Sequence, residues 1–168
     1  MKFGRKLLAV VLAAVMVLTM LTACGGETPA APVEKDSIQN VVDNINAVRI
    51  KNGLSKLKIN TTATETADQW ATLHDQYRRN EITWDTFNDQ CQVYNNVLVE
   101  GRRYSGYLPM NSSMPPEYFL TEERWQNMFD ENRNYCDTWI VTDPDTIYIG
   151  VCVKKAVDGK FVTVILTY

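Results

Sequence analysis

Histidine is nearly missing from this chain, with one in 168 residues. A single imidazole cannot build the histidine-rich ligand set of a zinc site. The cysteines do not make up the deficit, because Cys91, Cys136 and Cys152 are spaced by 45 and 16 residues, which matches no zinc pattern. An excess of positive charge is also missing. There are 17 basic and 20 acidic residues, giving −3 at pH 7, so the electrostatic footprint of a nucleic-acid partner is absent. The uncharged apolar run from Leu7 to Leu21 is too short for a stable membrane span. Its fifteen residues make about 22 Å of helix against about 30 Å of hydrocarbon. No serine stands in a nucleophile-elbow context, and no internal repeat is visible.

What is present begins with Lys2, Arg5 and Lys6, followed by that apolar run. A positive head, a short apolar middle and small residues at a cut make a secretory signal peptide, residues 1–23. Leu21-Thr22-Ala23-Cys24 resembles the lipobox of bacterial lipoproteins. The resemblance implies diacylglyceryl transfer to the Cys24 sulfur, cleavage before it, and acyl chains such as palmitate on the anchor. The expected location is the cell membrane, lipid-anchored, with the domain on the extracytoplasmic side. The other reading is ordinary secretion with a chance cysteine. Cleavage leaves 145 residues with 14 basic and 20 acidic side chains, net −6, enough for one domain with a sizeable core. Residues 24–36 carry Gly-Gly-Glu-Thr-Pro-Ala-Ala-Pro and read as a tether. The domain is residues 37–168.

Within it, Ser37 is an expected N-cap, and Ile38, Val41, Val42, Ile45 and Val48 share one helical stripe that Gly53 ends. Leu54, Leu57 and Ile59 read as a short extended piece. A second helix opens near Thr62, with Glu65 completing a capping box. Ala63, Ala67, Trp70, Ala71, His74 and Tyr77 lie on its inner face. Residues 80–90 read as a loop with one helical turn, and Cys91–Val99 as a strand through Val93, Val97 and Val99. Gly101–Pro116 reads as a long loop of the kind that forms a binding lip. Thr121 caps a third helix with the stripe Trp125, Met128, Phe129 and Cys136. Thr146–Lys155 and Phe161–Tyr168 form a hairpin through Asp158-Gly159. Both strands are almost uncharged and are expected inside a sheet covered on both faces.

That order, with particular residues in it, resembles the CAP superfamily, the SCP-like domains of cysteine-rich secretory and pathogenesis-related proteins, in its bacterial branch. The matching residues are Ile45-Asn46-Ala47-Val48-Arg49, Asn52-Gly53-Leu54, Leu57, the alanines Ala67 and Ala71, Trp125-Gln126-Asn127, Arg133-Asn134 and Ile149-Gly150-Val151-Cys152-Val153. The resemblance implies an α+β fold, an α-β-α sandwich with a small antiparallel sheet flanked by helices on both faces. It also implies a cleft that in the family holds two histidines and two acidic residues around a divalent cation. Here Asp130-Glu131-Asn132 stands at one histidine position, the region of Ile82 and Thr83 has none, and Asn95-Asn96-Val97-Leu98 replaces the Glu-Asn-Ile-Ala strand. The cleft is therefore expected to contain Asn95, Asn96, Glu131 and His74, with no transition-metal site and no cofactor.

His74 is read as a half-buried histidine with one hydrogen bond, against a catalytic base. One disulfide can form among the remaining cysteines, and Cys136 with Cys152 is the favoured pair; buried free thiols are the alternative. The expected function is a cell-surface lipoprotein presenting a binding or interaction module, not an enzyme. The alternative is an extracellular hydrolase of peptide or cell-wall material, for which Ser105, Ser112 and Ser113 are the scattered hydroxyls. Expected partners are the membrane, through Cys24, and an unidentified extracellular protein, lipid or wall ligand, with no nucleic acid.

Overall fold

The computed structural model describes residues 35–168. The expected signal peptide, Cys24 and the expected tether up to residue 34 lie outside the described residues. Helix α1 (Lys35–Lys51) is followed by β1 (Lys58–Ile59), α2 (Thr61–Arg78) and α3 (Trp84–Asn95). Then come β2 (Gly106–Ser112), a 3-10 turn (Pro116–Tyr118), α4 (Glu122–Glu131), α5 (Cys136–Thr142), β3 (Tyr148–Lys155) and β4 (Phe161–Thr167). The sheet order is β1-β3-β4-β2. The three long strands are antiparallel, and β1 adds a two-residue parallel edge on β3. The sheet is thus mixed, where an antiparallel one was expected.

Alternation along β3 and β4 builds two cores. Ile149, Val151, Val153 and Ile165 face α1, α4 and α5 with Val41, Ile45, Val48 and Trp125. Val162, Val164, Leu166 and Cys152 face α2 with Ala63, Ala67, Trp70 and Ala71. Strands buried on both faces read as continuous apolar runs, as the composition suggested. Gly150 is required where α2 crosses the sheet. A Cβ there would lie 2.1 Å from the carbonyl carbon and oxygen of Ala63.

Several expectations need correction. Helix α1 starts at Lys35, so Ser37 is inside it, and its hydroxyl donates to Glu117 Oε1 at 3.0 Å. The cap of α2 is Asn60, whose side chain accepts from the Ala63 amide, so there is no Thr62–Glu65 box. Residues 91–95 are the last turns of α3, not a strand. Thr83 caps that helix, and Phe87, Cys91 and Tyr94 recur at helical spacing, which the period-2 run of valines concealed. Val93 points to solvent. The expected binding lip contains β2, which pairs with β4 over seven residues. Pro109 is tolerated there because β2 is an edge. Helix α4 stops at Asn132, left-handed at φ 42°, so Cys136 opens a separate helix. Asparagine enters that region readily.

Candidate functional site

The residues that carry the family resemblance hold the fold. The Asn46 amide grips the Leu57 backbone in both directions, accepting from its N–H at 2.7 Å and donating to its carbonyl at 3.2 Å. Arg49 is fully buried and donates to the carbonyls of Ser55, Ile140, Asp143 and Thr146 at 2.9–3.2 Å. Burial lowers its pKa, and nearby Asp143 opposes that shift. The guanidinium remains charged, because its ordinary value is so high. Gly53, at φ 78°, lets the chain turn back so that the Leu54 amide reaches the Arg49 carbonyl at 2.8 Å.

Chemistry-bearing side chains gather on the other face, between α2, α3 and β2. The His74 ring packs edge-on against Phe87 at 4.9 Å, and its Nε2 is hydrogen-bonded to the Tyr107 hydroxyl. Desolvation lowers the His74 pKa and raises that of Tyr107, with Cys91 and Tyr104 adding to the latter. Both shifts favour a neutral imidazole accepting from a protonated phenol. The Tyr107 ring meets Trp70 at 4.3 Å, and Trp70 meets Tyr104 at 6.1 Å. Outward, Phe87 stacks on Trp84 at 5.5 Å and contacts Tyr77 at 5.0 Å, while Tyr77 and Trp84 lie 5.6 Å apart. One continuous row of rings therefore runs from buried Trp70 to Trp84, which is 58% exposed. Asp85 and Asp89 are exposed beside it. A shallow groove of about 270 Å³ between α2 and α3 is lined by Asp68, Gln69, Thr72, Gln76, Gln90 and Tyr94.

The expected cleft is not assembled. His74 is on α2, while Glu131 ends α4 on the opposite side of the sheet. There Glu131 is exposed, pairs with Arg133 at 3.1 Å, and lines an open pocket of about 310 Å³ with Arg124, Met128 and Tyr135. Asn96 is exposed, and its amide donates to the Gln92 carbonyl; the buried Asn95 side-chain oxygen has no partner. Among the described residues, the one imidazole is engaged at Nε2 by Tyr107, and Glu131 pairs with Arg133 on the far face. The candidate hydroxyls are placed elsewhere too. Ser105 Oγ lies 2.7 Å from Thr146 Oγ1, and Ser112 Oγ accepts from the Met114 amide.

The favoured disulfide is also corrected, since Cys91, Cys136 and Cys152 are all free. Cys152 points to α2, with its thiol 3.4 Å from Asp68 and its pKa pushed up to about 12 by burial and by that carboxylate. Cys136 is exposed on α5, across the sheet. Sequence reasoning missed Tyr107, Phe87 and Trp84. The available signal was the Trp70/His74/Tyr77 spacing on α2 facing a Trp84/Phe87 pair.

An α-β-α sandwich with a clamped first helix is the class of fold defined here. The structure is similar to that of an outer surface protein of Borrelia burgdorferi, with a TM-score of 0.49 and 16% identity over 82% of this chain and 96% of the other. It is similar to the CAP domain of the enterococcal protein PrgA, with a TM-score of 0.49 and 16% identity over 81% and 70%. It is also similar to hookworm platelet inhibitor, with a TM-score of 0.49 and 14% identity over 84% and 73%. The sequence matches no protein-family model and no curated protein.

Proposed function

We propose that this protein is a lipid-anchored, extracytoplasmic binding module of CAP-like architecture that engages a protein partner through the α2–α3 rim. The observation that carries this reading is the row of rings ending on exposed Trp84 and Tyr77. Large, rigid aromatics with one face open to solvent are the side chains that contribute most at protein interfaces. Helix α3 supports it, since only Phe87 of its twelve residues is buried, leaving most of its surface free for contact. Asp85 and Asp89 favour a partner that presents basic groups around an apolar centre.

A binding role also agrees with the state of His74. Its Nε2 is committed to a phenol rather than to a serine or cysteine nucleophile, so the pair that acyl-transfer chemistry needs is not formed around it. The anchor rests on the residues before Cys24 and on the cysteine itself. The test is recovery of surface partners by the domain, residues 34–168, compared with its Trp84→Ala variant. A partner retained by the parent and lost by at least tenfold in the variant is the expected result. Equal recovery overturns the reading.

A further inference from the structure

We infer that the end of the domain from which the tether leaves is a second contact with the bilayer, formed by Met114, Tyr118 and Val157; the inference rests on lipidation of Cys24. Strand register defines this end. Phe161 opens β4 and pairs with both Ser112, the last residue of β2, and Lys155, the last of β3. The segment after β2 and the β3–β4 turn therefore leave the sheet side by side. The start of α1 is at the same place. Ser37 bonds Glu117, and Ile38 packs on the same core as Phe161 and Met110. The other end of α1 lies about 25 Å away, where Arg49 holds the carbonyls of Asp143 and Thr146 ahead of β3.

Three apolar side chains project here with half or more of their surface open to solvent. Met114 is 52% exposed, Tyr118 69% and Val157 68%. Local bonds and prolines hold their backbone: Pro115 and Pro116 fix the turn, the Met114 amide bonds Ser112 Oγ, and Gly159 (φ 81°) closes the hairpin. Little further ordering is needed for these side chains to meet a surface. Exposed Lys155 and Lys160 can face lipid phosphates. Of the acids here, Asp158 is bonded by Arg78 and Glu117 by Ser37. Glu122 and Glu123, at the start of α4, remain open, so apolar contact rather than charge is the main attraction.

The length of chain outside the described residues selects a bilayer as the occupant. Cys24 and Lys35 are eleven residues apart, a reach of at most about 40 Å. A lipid on Cys24 therefore holds this end near the membrane. Tyrosine suits the headgroup level, so a surface held this close to the bilayer can lay Tyr118 into it.

The experiment uses the full lipidated chain on phosphatidylcholine/phosphatidylglycerol vesicles with brominated acyl chains. Tyr118→Trp and Val157→Trp each add one emitter at this end, and Ile50→Trp adds one at the far end of α1. The added emission of Tyr118→Trp and Val157→Trp should fall at least twofold relative to unbrominated vesicles, while that of Ile50→Trp should not change. Flotation of the same samples reports the anchor separately. Protein that floats with no quenching at positions 118 and 157 overturns the docking alone, including the case in which another protein covers this end. Protein that does not float overturns the anchor, and the docking with it.

Discussion

On the α1 side of the sheet, aliphatic side chains surround one buried arginine. On the α2 side, alanines give way to aromatic rings that continue out to solvent. The α1 side spends its polar chemistry on backbone: Arg49 and Asn46 bond carbonyls and one amide of connecting segments. Those bonds fix where β1 and β3 begin. The α2 side spends it between side chains, in the His74–Tyr107 pair and the ring contacts of Trp70 and Phe87. The first arrangement fastens segments distant in sequence. The second leaves a helix, α3, supported on one side only. The difference separates residues that specify the fold from residues free to specify a ligand.

Removing the clamp should have the largest effect. Arg49→Met leaves four carbonyls without their donor, and each buried unsatisfied group costs about 1–3 kcal/mol. Urea denaturation should show a loss of at least about 3 kcal/mol. Gly150→Ala comes next, because α2 must move off β3 to admit a methyl group. A loss of about 3 kcal/mol is expected, with the near-ultraviolet signal of Trp70 altered. An unchanged midpoint would refute the close approach of helix and sheet.

On the aromatic side the effects should be smaller. Tyr107→Phe removes the donor to His74 and should cost about 1–2 kcal/mol. The pH dependence follows from the lowered folded-state pKa of His74. Below the unfolded value of about 6.5, the unfolded chain binds a proton that folded His74 resists. This contribution is therefore present above pH 6.5 and declines as pH falls toward the folded pKa. Chemical denaturation at pH 7.5 and 5.5 should show it, with a flatter slope in His74→Gln. Smallest of all is Cys136→Ser, expected within about 0.5 kcal/mol, with a melting temperature indifferent to reductant in either form. A reductant-sensitive transition would show that Cys136 pairs after all.

The same contrast explains what could be read from the sequence. Helix α1, the Gly53 stop, the α2 face, the Thr121 cap and the β3–β4 hairpin were legible, because each carries a strong period or a turn residue with a defined backbone requirement. That the hairpin strands are covered on both faces followed from their lack of charge, while the α-β-α sandwich was what the family resemblance implied. Helix α3 was not legible. Only one of its twelve residues, Phe87, is buried, so its apolar signal is thin, and Cys91, Val93, Val97 and Val99 imitate a strand. Strand β2 was hidden by its composition, since an edge strand with Pro109 and Asn111 lacks a β-rich look. Both misreadings fell beside the candidate site, which is why Tyr107 and Trp84 were missed while His74 was marked. The proposed cleft failed for a related reason. Glu131, placed by the family pattern, and His74, the one histidine, were taken to converge, but they sit on helices across the sheet from one another.

The division between clamp and rim is tested most directly by mapping contacts on living cells. A photoreactive phenylalanine analogue placed at Trp84, and separately at Ile50, is irradiated in the intact envelope, and the adducts are separated by mass. The expected result is a discrete protein adduct from position 84 and none from position 50, with both variants unfolding at the parent midpoint. Adducts of equal yield from the two positions, or from position 50 alone, would contradict the assignment of binding to the α2–α3 rim.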